Sequence, residues 1–179
     1  MSPQSSVLSH KMDSMFAAGI DTTLPKGALY RDLAASLESV LAGETDALAN
    51  LANACALLAE ALARINWCGF YLLRGEELVL GPFQGKPACV RIPVGKGVCG
   101  TAAARREPLV VPDVNAFPGH IACDAATRSE IVVPIIENGV LRGVLDVDSP
   151  ELARFDDMDR AGLEKFVALL VPFVHWRNL

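Results

Sequence analysis

Residues 130–148 read EIVVPIIENGVLRGVLDVD, two apolar runs joined by Asn138-Gly139. An Asn-Gly pair between such runs signals a type I′ turn, because both central residues of that turn need positive φ. The stretch reads as an antiparallel hairpin. Upstream, WCGFYLLRGEELVLGPF (67–83) reads as two strands joined across Arg74-Gly75-Glu76, and ACVRIPV (88–94) as another. PLVVPDV (108–114) is a brief extended run between prolines.

Helical patterns surround this β-rich middle. Leu29, Leu33, Leu37 and Leu41 recur at four-residue spacing, with Gly43 as a stop. In the next stretch Leu48, Leu51, Cys55, Leu58 and Leu62 recur at threes and fours behind a Thr45 or Asp46 cap. GKGVCGTAAARRE (95–107) is a glycine turn feeding a short helix at about 99–106. RFDDMDRAGLEKFVALLVPFVHWRNL (154–179) is an amphipathic helix with acidic caps and a kink expected at Pro172. The expected fold class is α+β, a central antiparallel sheet of about six strands with helices packed against it.

The 179 residues are 51% hydrophobic and 21% charged, which excludes a disordered chain and suits one domain. We divide them into an N-terminal extension, 1–26, Ser-rich and punctuated by Gly and Pro, and a domain, 27–179. The extension lacks the basic and apolar regions of a secretory signal, so reducing cytoplasm is the expected compartment. No run is long and apolar enough to span a membrane. A net charge of −5 argues against a nucleic-acid partner. Gly95-Lys96-Gly97-Val98-Cys99-Gly100 spells the dinucleotide fingerprint, but a two-turn helix followed by a hairpin is not a crossover unit. The glycines are read as serving a tight turn.

Five cysteines in a reducing compartment are thiols rather than bridges. Cys55 and Cys68 fall on apolar faces and read as core. Cys89, Cys99 and Cys123 lie at strand starts or turns, where loops present side chains to solvent. They could join His120 at zinc, yet there is no C-x2-C knuckle, and no metal is expected. Cys123 is the best nucleophile. GHIACDAATRSE (119–130) reads as a loop closing into a helical turn capped by Asp124, and a helix N-terminus with Arg128 or His120 nearby favours a thiolate.

Two further groups converge on that region. Asp146 and Asp148 share one face of a strand end, and Glu130 opens the neighbouring strand. Three crowded carboxyls can grip an ammonium group, and crowding raises at least one pKa. Trp67 and Tyr71, four apart on one strand face, can wall an apolar pocket, although core packing is the commoner role of such a pair.

The blocks NWCGFYLL, KPACVRIPVGKGVCGTAA, VPDVNAFPGHIACDAATRSEIVVPI and GVLDVDSP resemble the free methionine-(R)-sulfoxide reductases, enzymes built on a GAF domain. The resemblance runs from about Leu29 to Leu179 and implies a GAF-like fold. It implies Cys123 as nucleophile, Cys89 and Cys99 as recycling thiols, and Trp67, Tyr71, Glu130, Asp146 and Asp148 as the substrate pocket. The implied reaction reduces free methionine-(R)-sulfoxide through a sulfenic acid and an intramolecular disulfide. No cofactor is bound. A thioredoxin-type dithiol, or dithiothreitol in vitro, restores the thiols. Which of Cys89 and Cys99 reacts first stays open. A homodimer is compatible with the family and with the apolar first helix. The alternative is a GAF-type small-molecule or redox sensing module, disfavoured because the chain leaves no room for an output domain.

Overall fold

A computed structural model describes residues 19–176 of the chain. Residues 1–18, most of the expected extension, lie outside the described residues. Of its remainder, Ile20 and Leu24 pack against the main core, and Lys26 already opens the first helix.

Two helices come first: α1 (Lys26–Leu41) and α2 (Ala47–Ala61). Asp46 caps α2 by accepting from the Ala49 amide at 2.8 Å. The burial stripe of α2 is Leu51, Cys55 and Leu58 with Ala54 and Ala61. Leu48, expected on it, is exposed, because the stripe starts from Ala47 instead. Strands β1 (Trp67–Arg74) and β2 (Glu77–Gly85) follow as a hairpin, then the short β3 (Arg91–Pro93). The third strand is shorter than the apolar run 88–94 suggested, and its pairing is extended by one bond at each end, from the Leu80 amide to the Val90 carbonyl and from the Val94 amide to the Glu76 carbonyl.

Helix α3 (Gly97–Arg105) leads to β4 (Leu109–Val111) and a 3-10 turn at Val114–Ala116. The hairpin of β5 (Ser129–Glu137) and β6 (Val140–Ser149) then precedes α4 (Asp157–Leu170). Asn138 and Gly139 both adopt positive φ, as the type I′ reading requires. Pro172 does not kink a helix. It sits in a separate 3-10 turn, Val171–Phe173, where its missing N–H ends α4.

The six strands form one antiparallel sheet in the order β3-β2-β1-β6-β5-β4. Alternation sends Cys68, Phe70, Leu72, Ile131, Val133, Leu145 and Val147 to one face, beneath α1, α2 and α4. Trp67, Tyr71, Val132 and Val144 point to the other, against α3. The fold is thus α+β, as the patterning predicted. The glycine fingerprint is structural: the Gly95 amide donates to the Gly100 carbonyl at 2.7 Å, and a side chain at Gly100 would strike the Pro93 carbonyl. α3 therefore sits hard against the loop that feeds it.

α1 and α4 are joined by a buried ionic centre. Asp159 accepts from Tyr30 Oη at 2.9 Å and pairs with Arg154 at 3.2 Å and Lys26 at 2.5 Å. Asp159 also completes a capping box with Asp156, so one carboxylate fixes both the start of α4 and its docking. One turn along, Gly162 lies against the Tyr30 ring, and a Cβ there would overlap three ring atoms. Gly162→Ala is expected to lower stability by about 1–3 kcal/mol despite the better helix propensity of alanine, measured as a urea midpoint.

Candidate active site

The register of three strands builds the site. Trp67 lies opposite Asp148, and Asp148 opposite Glu130, so β1, β6 and β5 present these three side chains in one row. Asp146, two residues back on β6, lies opposite Gly69 and Val132. Period-two alternation puts all four on the α3 face, at the sheet end where β1 starts and β6 finishes. Glu130 and Asp146 are buried, and Asp148 is half-buried.

Trp67 supports both the pocket and its rim. Its ring stacks on Tyr71 at 5.8 Å between centroids and on Phe83 at 5.4 Å. Its indole N–H donates to the Lys86 carbonyl at 3.1 Å, while Tyr71 Oη donates to the Cys89 carbonyl at 3.0 Å. Core packing and pocket wall are therefore the same arrangement, and the two aromatic rings anchor the segment carrying Cys89. The cavity, about 40 Å³, is lined by Trp67, Tyr71, Cys99, Cys123 and the three carboxyls, with Lys86, His120 and Asp124 at its edge.

Cys89 and Cys123 are joined as a disulfide, with their Cα atoms 5.7 Å apart; Cys123 lines the cavity, as does Ala88 beside Cys89. Cys99 is free and buried, which corrects the expectation of a solvent-presented thiol. It lies inside α3 rather than on a loop, and its Sγ donates to Glu130 Oε1 at 3.7 Å. Burial, followed by the charges of Asp146 and Glu130, pushes its thiol well above the ordinary range. Cys55 and Cys68 belong to the opposite core, as expected.

The loop bearing Cys123 also departs from expectation. No helix follows it, only a turn at Ala125-Ala126, so no helix N-terminus acts on the thiol. Asp124 does cap that turn, accepting from the Ala126 amide at 3.0 Å. This bond, followed by Lys86, holds its carboxyl below the usual range. Asn66 Nδ2 reaches Asp124 at 3.3 Å and Thr127 Oγ1 at 3.0 Å, tying the Cys123 loop to the entry of β1. Sequence reading missed Asn66, Lys86 and Thr127, because each acts through partners distant in the chain. His120 is shifted down by burial, which leaves its ring neutral near pH 7.

The three carboxyls titrate abnormally. Desolvation, then the Asp146 and Asp148 charges, drives Glu130 well above the ordinary range. Desolvation, then the Asp146 charge, does the same to Asp148. Desolvation moves Asp146 up to about 6, although hydrogen bonds from Cys99 and Glu130 oppose it. Asp146 Oδ1 is buried with no partner. The Cys99, Glu130 and Asp146 ligand atoms lie within 4.8 Å of one another, a spacing that suits a small cation, either a metal ion or an ammonium group. The alternative zinc set is not assembled, because Cys89 and Cys123 are bonded to each other.

A sheet of this order, helical on both faces and carrying a small pocket at one end, is the architecture of a ligand-holding GAF domain. Residues 36–171 match that domain, and the chain belongs to the GAF domain family. Within it, the chain groups with the free methionine-R-sulfoxide reductases. It is 57% identical over 145 residues to the Escherichia coli protein of that name, covering 81% of this chain and 88% of that protein. The Saccharomyces cerevisiae enzyme of the same name is 47% identical over 157 residues, covering 83% and 87%. The crystal structure of the Neisseria meningitidis free methionine-R-sulfoxide reductase, in complex with its substrate, superposes with a TM-score of 0.83. That pair is 49% identical and covers 87% of this chain and 93% of the other.

Among the described residues, no helix is long and apolar enough to cross a membrane. The raised carboxyl pKa values set a pH dependence. A carboxyl whose folded pKa exceeds its unfolded value of ~4 stabilises the fold below that value and loses the benefit as pH rises through the folded pKa. Stability of the wild type is expected to fall relative to Glu130→Gln as pH rises from about 4 past 6, read as thermal midpoints in matched buffers.

Proposed function

We propose that this oxidoreductase reduces free methionine-(R)-sulfoxide to methionine, with Cys123 as nucleophile and Cys89 as resolving thiol. The observation that carries the reading is the bond from Cys89 to Cys123, a residue that lines the same cavity as three protonatable carboxyls. A free amino acid brings an ammonium group, a sulfoxide oxygen and a methyl-bearing sulfur. The ionised member of the carboxyl set holds the ammonium, and the apolar end rests on Trp67 and Tyr71.

A protonated carboxyl, Glu130 or Asp148 by its raised pKa, donates to the sulfoxide oxygen. Sulfoxide sulfur accepts attack only as that oxygen gains a proton. The Cys123 thiolate attacks that sulfur, the substrate S–O bond breaks and a Cys123 S–O bond forms, so that sulfoxide, thiolate and one proton become methionine and Cys123 sulfenic acid. Cys89 thiol then condenses with the sulfenic acid, forming the S–S bond and releasing water. A thioredoxin-type dithiol reduces that disulfide and is itself oxidised, since no further redox pair is adjacent.

Cys99 has a different part in this scheme. Its raised pKa keeps it a thiol, and its S–H bond to Glu130 orients the carboxyl that activates oxygen. It is a positioning residue rather than the first resolving thiol. We expect purified protein with dithiothreitol to release methionine from the (R) epimer and not from the (S) epimer. Cys123→Ser should lose more than about a thousandfold in turnover. Without reductant, Cys89→Ser should release one methionine per chain and leave a Cys123 sulfenic acid that a dimedone-type reagent traps. Binding of the sulfoxide without turnover would instead mark a sensing module.

A further inference from the structure

The cavity contains an excess of acid, and one cation stands at its mouth. Glu130, Asp146 and Asp148 form the floor, His120 is held neutral by burial, and Lys86 is the remaining basic side chain among the lining residues. Lys86 Nζ lies 3.2 Å from Asp124 Oδ2, in a pair whose lysine is 70% exposed. The Asp124 side chain is only 15% exposed but keeps the Ala126 and Asn66 donors, and the lysine head is solvated, so exchanging one carboxylate partner for another costs the lysine little. The lysine backbone, by contrast, is fixed, because its carbonyl accepts from the Trp67 indole. A mobile cationic head on an anchored stem therefore reaches across the cavity edge toward the loop of Cys123.

We propose that Lys86 is the residue that recognises the α-carboxylate of the substrate, leaving Asp124 to do so. The inference rests on the reading of the substrate as a free amino acid. A zwitterion laid with its ammonium on the acidic floor still has a carboxylate to satisfy, and Lys86 supplies the matching charge at the open end. A sulfoxide inside a peptide has an amide at that position and gains nothing from the lysine. Lys86 thus contributes selectivity for the free amino acid over a chain-embedded residue, in addition to affinity. Asp124, held ionised by its own turn, retains the Ala126 and Asn66 bonds when the lysine moves, so the Cys123 loop keeps its clasp.

Steady-state kinetics on two substrates test this: free methionine-(R)-sulfoxide and its methyl ester, which keeps the ammonium and sulfoxide and lacks the carboxylate. For Lys86→Met we expect KM for the free acid to rise about tenfold or more, with kcat within about twofold, consistent with loss of one charge-assisted contact. KM for the ester should change by less than about twofold, and Lys86→Arg should restore most of the free-acid KM. Equal changes on acid and ester, or no change on either, would overturn the assignment of Lys86. Absence of turnover by wild-type protein on the free acid would instead overturn the substrate reading itself, so the two failures are distinguishable.

Discussion

Three carboxyl groups share one dry sheet end, and the rest of the structure can be understood as the means of keeping them there. Burying such groups is costly unless protons or partners neutralise them. The antiparallel register removes any freedom in their placement: with Trp67 opposite Asp148 and Asp148 opposite Glu130, a slip of one residue on β5 or β6 would turn an acid into the opposite core. α3 covers the cluster and offers Cys99 as a hydrogen-bond donor. The glycine turn allows α3 to sit close enough to do so.

The same geometry separates the cysteines by chemistry. Cys55 on α2 and Cys68 on β1 lie in an apolar core whose desolvation drives their thiols up. Burial first, and the neighbouring Asp146 and Glu130 second, do the same to Cys99. Cys123 is exposed at the cavity and Cys89 half-buried beside it, one on a loop fixed by Asn66 and Asp124, the other on a segment fixed by Trp67 and Tyr71. Thiolate character and access decide which thiols do redox work. Access favours the bonded pair, since Cys123 is exposed and Cys89 half-buried while the other three thiols are buried, and this supports the proposed assignment.

Much of this was legible in the sequence, for reasons that can be named. Asn138-Gly139 carries its own turn geometry, and period two placed Asp146 with Asp148 and Trp67 with Tyr71 before any coordinates. The three-cysteine set and its surrounding blocks pointed to the family. What the sequence withheld depended on distant contacts. Local pattern cannot say that Cys99 faces inward from α3 rather than out of a loop. Nor does Asp124 after Cys123 distinguish a capped helix from a bare turn, since the same Asx bond serves both. Lys86 looks like any surface lysine until the fold sets it beside an acidic cavity.

The central claim is that one substrate oxygen is exchanged for one bond between Cys89 and Cys123. The direct measurement is a single turnover: fully reduced protein, freed of reductant, mixed with excess methionine-(R)-sulfoxide, then denatured, alkylated and peptide-mapped. The account predicts one methionine and two lost thiols per chain, with Cys89 joined to Cys123 and Cys99 recovered as a free thiol. A bond that includes Cys99, or methionine formed without thiol loss, would contradict it.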